Sequence, residues 1–291
     1  MLAAALRALV PQLASADAEV VVVDNCPDAS ARGQVAALTE SGLALRYHHE
    51  PRRGVAHARN AGVLMARGAY IAFLDDDEVP DPGWLEGFVE HAGSGVTVAF
   101  GRIRPRYETV PPPELRGLTD RLFSRDYPEE SGADITAYCA HLGTGNALFH
   151  KARCFSRDRP FDPRFNRSGG EDIWLIRGLV ERGERLHWAR RALVEELVPS
   201  ARTTEAYLRG RRYNQGRLRC IFLADAGGMG NGFKVVQWMA VGLAQSVAYG
   251  VLAMASAVVS RRRAAAYRIQ FCGGLGKVLW WREFDTDLYG S

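Results

Sequence analysis

Lysine is nearly missing from this chain of 291 residues: Lys151, Lys234 and Lys277 are the only ones, and arginine carries the net charge of +4. A basic balance built on arginine matters where arginines cluster, because the guanidinium fork matches phosphate better than an ammonium does. No helix-turn-helix, zinc-finger or aromatic RNA-binding pattern accompanies it, so nucleic acid is not an expected partner. Cysteine is sparse too. Cys26, Cys139, Cys154, Cys220 and Cys272 form no CxxC pair, which argues against a zinc ribbon and a disulfide framework. The opening MLAAALRALVPQL has neither the charged start nor the small-residue cleavage site of a secretory signal and reads as an amphipathic helix, so the folded part is expected in a reducing compartment.

What is present suits a folded α/β protein: 47% apolar and 24% charged residues. The run Glu19 to Asp24 is β-branched and short enough for a buried parallel strand, and it ends on an acid. A helix over 32–41, a strand over 43–49 and a helix over 55–66 follow. A second buried strand, Ala69 to Leu74, ends on Asp75-Asp76-Asp77-Glu78. Strands alternating with helices imply right-handed crossovers and a mostly parallel sheet, in which ligands bind beyond the carboxyl ends of the strands. Both acid clusters fall at such ends. Further elements are expected as a helix around 84–91, a strand over 96–101, a surface excursion over 105–130, a glycine-bracketed turn at 143–150, a helix from Glu171, and a last strand region over 187–198.

Three consecutive aspartates repel one another, and a solvated turn gains nothing from that repulsion. A hard divalent cation such as Mg²⁺ or Mn²⁺ takes one or two carboxylates together with substrate phosphates. In an extended segment, Asp75 and Asp77 point the same way and Asp76 faces elsewhere. The plainer reading of the same residues is an acidic turn that helps cap the next helix.

The stretch Arg53 to Gly62 (RGVAHARNAG), then Ala66 to Asp77 (ARGAYIAFLDDD), resembles the signature of family 2 glycosyltransferases. Gly143-Thr144-Gly145-Asn146 and Gly169-Gly170-Glu171-Asp172 resemble the acceptor-half motifs of that family, in the same order. The resemblance implies the type A glycosyltransferase fold, a nucleotide-diphosphate sugar as donor, Mg²⁺ or Mn²⁺ as cofactor and inversion at the anomeric carbon. It implies that Asp24 contacts the nucleotide with Arg59 beside it. Asp75 and Asp77 would bind the metal, Asp75, Asp76 and Asn146 would face the donor, and Asp172 would be the base with Glu171 as its neighbour. Within the family, the Asp-Asp-Asp-Glu-Val-Pro spacing and the segment Val194 to Pro199 look most like succinoglycan-type exopolysaccharide enzymes, which act on polyprenyl-diphosphate-linked saccharides. Where many relatives carry a metal-completing His, this chain has Glu196, an oxygen ligand in its place.

Relatives begin with an apolar strand and a polar loop before a helix like Leu2–Leu13. This chain starts inside that helix, so the sheet is expected to lack its first strand, and an upstream start codon is the favoured explanation. The catalytic domain is expected over 1–205, followed by a helical appendage over 206–291. Arg209, Arg211, Arg212, Arg217 and Arg219 crowd the start of that appendage with Tyr207 and Tyr213. At helical spacing Arg209 and Arg212 share a face, as a clamp for phosphate or anionic headgroups or as a solvated basic face. Trp238 to Val259 is a charge-free run of 22 residues flanked by arginine on both sides. That flanking favours a helix lying in a membrane interface, at the cytoplasmic face of a bacterial inner membrane, over one that crosses it. A nucleotidyltransferase and a non-catalytic partner in a polysaccharide complex are the other readings.

Overall fold

The computed structural model describes residues 1–156, 159–166 and 168–281. The elements in chain order are α1 (Leu2–Leu9), β1 (Val20–Asp24), α2 (Arg32–Glu40), β2 (Leu45–His49), α3 (Val55–Met65), β3 (Tyr70–Phe73), β4 (Glu78–Pro80), α4 (Trp84–Gly93), β5 (Val98–Tyr107), α5 (Arg116–Phe123), β6 (Ala147–His150), α6 (Lys151–Cys154), α7 (Glu171–Glu181), β7 (Leu186–Val198), α8 (Glu205–Asp225), α9 (Met229–Ser256) and α10 (Arg261–Val278). The chain forms two units. Met1–Arg106 and Phe123–Leu197 make the first, and Tyr107–Leu122 and Val198–Ser291 make the second. The change of unit at Val198 precedes the expected boundary at 205, and the second unit also takes Tyr107–Leu122 from the middle of the chain.

In the first unit, β1 lies parallel to β2 with Asp24 opposite His49. The second sheet has the order β3-β6-β5-β7-β4. Here the mostly parallel expectation needs correction, because β3 with β6, β5 with β6 and β4 with β7 all pair antiparallel. Buried runs such as Ala147–Phe149 look alike in either pairing, so strand direction was not encoded in their apolar pattern. The core has two parts. One gathers Phe100, Phe149, Phe161, Ile176 and Trp188; the other joins Leu6 and Leu9 to Trp84, Phe88 and Val194.

The expected excursion over 105–130 also resolves differently. β5 runs on to Tyr107, α5 follows, and the chain returns so that Arg125 bridges Ile103 in antiparallel pairing. Charge and proline made this stretch look solvated, yet Arg125 is buried.

The second unit is built on α8, α9 and α10. Thr204 caps α8 and Ser260 caps α10 by accepting backbone N–H bonds. Glycine lets the helix backbones approach closely: a Cβ on Gly216 would lie 2.3 Å from the Gly273 carbonyl, and one on Gly242 would lie 2.6 Å from that of Gly274. Leu115, Leu208, Ala265 and Ile269 close its core.

Candidate functional site

Asp24 ends β1 with its carboxylate turned into its own loop. It accepts bonds from Cys26 N at 3.0 Å, Ala31 N at 2.9 Å and the Tyr47 hydroxyl at 2.9 Å. Burial pushes its pKa up, but these donors outweigh it and the carboxyl sits below its usual range. These bonds draw the 25–31 loop around the end of β1. Asn25 ties that loop to the one after β2, donating to Glu50 O and Arg52 O and accepting from Gly54 N. Glu50 is buried and takes both arms of Arg52, which hold its carboxyl down at about 2.

The motif helix α3 is anchored from far along the chain. Gly54 is at φ +129°, a conformation side chains rarely adopt, and a Cβ there would strike Asn166. Asn166 Oδ1 accepts Ala56 N at 2.9 Å, satisfying a donor of the first turn. Asn60 exchanges two bonds with the backbone of Phe161, at 2.7 and 3.0 Å. One residue earlier on the same helix, Arg59 pairs with Glu171, stands 3.7 Å from Asp75 Oδ1 and lies over the Phe161 ring. The two acid motifs thus meet on one guanidinium.

Asp75 leaves β3 into a tight turn rather than the extended segment expected. Its N–H donates to Glu78 Oε2 at 3.0 Å and its carbonyl accepts Glu78 N at 3.1 Å. Asp76 is exposed, while the Asp77 carbonyl accepts Leu197 N at 2.8 Å. Glu196 lies across the strand pair from Glu78. Glu78 is buried; burial and the charges of Asp75 and Glu196 push its pKa up.

Glu171 and Asp172 open α7 after Gly169 and Gly170, both at positive φ. Burial, then the charge of Asp172, raises Glu171 to about 7 against the pull of Arg59. Asp172 Oδ1 accepts Ile173 N at 2.7 Å. Between the two acid groups runs the Gly143–Asn146 turn. A Cβ on Gly143 would lie 2.9 Å from Asp172 Oδ2, and one on Gly145 would lie 2.8 Å from Asp75 Oδ2. Only glycine lets the turn touch both carboxylates.

Asn146, expected at the donor, faces the core instead. It is fully buried, its Oδ1 accepts the Trp84 indole N–H at 2.8 Å, and its Nδ2 donates to Arg102 O and Ala192 O. Two residues to which the sequence assigned no role adjoin the turn. Glu78 is one, its Oε1 3.1 Å from where a Cβ on Gly145 would lie; the other is Arg125, which donates to the carbonyls of Gly145 at 2.8 Å, Asn146 at 3.0 Å, Gly143 at 3.2 Å and Gly101 at 3.3 Å. A lone arginine in a charged stretch gave no signal of this. Arg209 and Arg212 belong to the second unit, where Arg209 reaches Cys272 and Arg212 reaches Gln270 and Gln215.

Among the described residues no group of three or more His, Cys, Asp or Glu side chains converges to hold a metal. The donor set still fits Mg²⁺ or Mn²⁺ that draws its other ligands from phosphate and water. Asp75 keeps a half-exposed carboxylate, and two buried atoms of the same site, Glu171 Oε2 and Thr144 Oγ1, have no protein partner.

The chain is similar to the succinoglycan biosynthesis protein ExoM of Rhizobium meliloti, 31% identical over 209 residues that cover 71% of this chain and 65% of that protein. It is 28% identical to a pre-mycofactocin glycosyltransferase of Mycobacterium tuberculosis over 152 residues, covering 50% of this chain and 31% of the relative. The chain therefore spans less than two thirds of the length of either. Among solved structures, S. aureus TarS with UDP superposes with a TM-score of 0.51 at 16% identity, covering 94% of this chain and 86% of that one. TarS 1-349 with UDP-GlcNAc gives a TM-score of 0.52 over 75% and 62% of the two chains. These likenesses show the type A glycosyltransferase fold. The family model for glycosyl transferase family 2 matches residues 1–152, and with the acid motifs and their common guanidinium in place, the chain belongs to that family.

Proposed function

We propose that this chain transfers a hexosyl unit, with inversion, from a UDP-sugar to a saccharide carried on polyprenyl diphosphate. The setting is exopolysaccharide or cell-surface glycan assembly at the cytoplasmic face of the bacterial inner membrane. The observation that carries the reading is Arg59 joining Glu171 to the neighbourhood of Asp75, with the Gly143–Asn146 turn against both acid groups. The kinship to ExoM supports the polysaccharide setting, and the UDP-bound TarS structures support the donor class.

In this mechanism the acceptor hydroxyl attacks the anomeric carbon while its proton passes to the Asp172 carboxylate. The bond from that carbon to the diphosphate breaks, and its electron pair leaves with the diphosphate. Asp75 and Asp77, with Glu196 as a further oxygen donor, would hold Mg²⁺ or Mn²⁺, which supplies charge stabilisation for the leaving group. Asp24 and Asn25 shape the loop that receives the nucleotide. Arg59 keeps Glu171 beside the base. Asp76, exposed on the turn, faces the donor from solvent.

Isothermal titration of the chain with UDP, with and without Mn²⁺, tests the reading. Metal-dependent binding that disappears in Asp77→Ala is expected. Absence of UDP binding in both conditions would overturn donor recognition and favour a non-catalytic partner in a polysaccharide complex.

A further inference from the structure

Helix α9 is 28 residues long, about 42 Å at the usual helical rise, and carries no charge after Lys234. Val235 and Ala253 are buried, but most of its larger apolar side chains are outside. Phe233, Val236, Leu243, Val247, Val251 and Met254 follow one another at three, four or seven residues and are all exposed, Phe233 by 73% and Met254 by 71%. That spacing places them on one face. A stripe of this extent facing water is unstable, and it marks a surface made for another apolar phase.

The opposite face of α9 is occupied by α10. Gly242 meets Gly274 and Lys277, Tyr249 stacks on Tyr267, and Gly250 meets Phe271, so the two helices run antiparallel along most of α10. Helix α10 is not apolar: it carries Arg261, Arg262, Arg263, Arg268 and Lys277. Length and composition alone would let α9 cross a bilayer. Crossing would also carry these cations of its packed partner into hydrocarbon, where ionised groups are expensive. Lying flat avoids this. The stripe then faces the acyl chains while α10 stays on the water side. At the end of the stripe, Val258 and Val259 are exposed beside the exposed Arg261, Arg262 and Arg263, an arrangement complementary to anionic headgroups.

We propose that α9 lies in the plane of an anionic lipid bilayer, its exposed stripe among the acyl chains and Arg261 to Arg263 among the headgroups, and that it does not cross. The inference rests on the membrane part of the proposed function and is independent of sugar transfer.

The test is flotation of the full chain with sealed phosphatidylcholine vesicles, with and without phosphatidylglycerol. Binding is expected to strengthen with phosphatidylglycerol. Replacing Arg261, Arg262 and Arg263 together by Gln, on an exposed surface where folding is unaffected, should weaken it by about 100-fold. Val247→Asp should abolish it. Topology is read on Met229→Cys and Val259→Cys in a Cys26→Ser, Cys139→Ser background, using a membrane-impermeant maleimide outside the vesicles. Labelling of both ends before lysis is expected. One end protected until lysis means that α9 crosses, and overturns the proposal. No flotation, with a dimer by sedimentation, assigns the stripe to a second copy and overturns it as well. Failure of UDP titration alongside successful flotation removes the catalytic reading and leaves this one standing.

Discussion

Arg125 donates to the carbonyl of Gly145 at 2.8 Å, reaching from its bridge with Ile103 on β5 to the turn that separates the two acid motifs. Lysine cannot reproduce a guanidinium that serves four carbonyls at once. Arg125→Lys should lower kcat by about 100-fold, the scale of a misplacement near 1 Å, while UDP affinity changes little. Arg125→Met should also cost about 3 kcal/mol of stability, because buried carbonyls lose their donor. Equal kcat in Arg125→Lys and the unaltered chain would refute the positioning role.

The two glycines of the turn face different partners, so their substitutions should part company. Gly145→Ala drives a methyl toward Asp75 and Glu78, and should weaken metal-dependent UDP binding. Gly143→Ala meets Asp172 instead, and should lower turnover with UDP binding intact. Titration and steady-state kinetics on both variants check the split.

Arg59 and Glu171 make a buried pair with side-chain exposures of 13% and 4%. Removing one partner of such a pair leaves a buried charge uncompensated. Arg59→Gln should cost about 3 kcal/mol, and adding Glu171→Gln should return part of it. Urea unfolding of the two single variants and the double variant measures the coupling.

Acid should loosen the segment after β2 through Glu50. Its carboxyl sits at about 2 in the folded chain against an ordinary 4.5, so the unfolded chain binds the proton first as pH falls. Its stabilising contribution is complete above 4.5 and is lost between 4.5 and about 2. Glu50→Gln should flatten that part of a urea-midpoint profile against pH.

The acid motifs were legible in the sequence because Asp75 and Asp172 follow elements with strong signals, an apolar strand and a double-glycine turn. The order of helices and strands followed for the same reason. What stayed hidden depended on partners distant in sequence. Asn146 shares a motif with residues that face the site, and only the packing of Trp84 and β7 shows that it faces inward. Asp24 ends a strand as a ligand-binding acid does, and the bonds it accepts from Tyr47 and the loop N–H groups come from partners that the strand pattern does not reveal. Arg125 read as part of a surface excursion until the chain folds over it, and Glu78 as one more acid of its cluster, although both are buried. The antiparallel second sheet was illegible because burial, not direction, sets the apolar pattern of a strand.

The bonds that assemble the site span long stretches of chain: Asn166 with Ala56 across 110 residues, Arg59 with Glu171 across 112 and Asn60 with Phe161 across 101. Closing loops of this size costs entropy before any contact rewards it, and folds dominated by such contacts form slowly. On the ribosome, the helix bearing Arg59 therefore emerges long before Glu171 exists to meet its guanidinium. The acid site is a late product of folding, and a nascent chain ending ahead of α7 has no site to poison or to occupy.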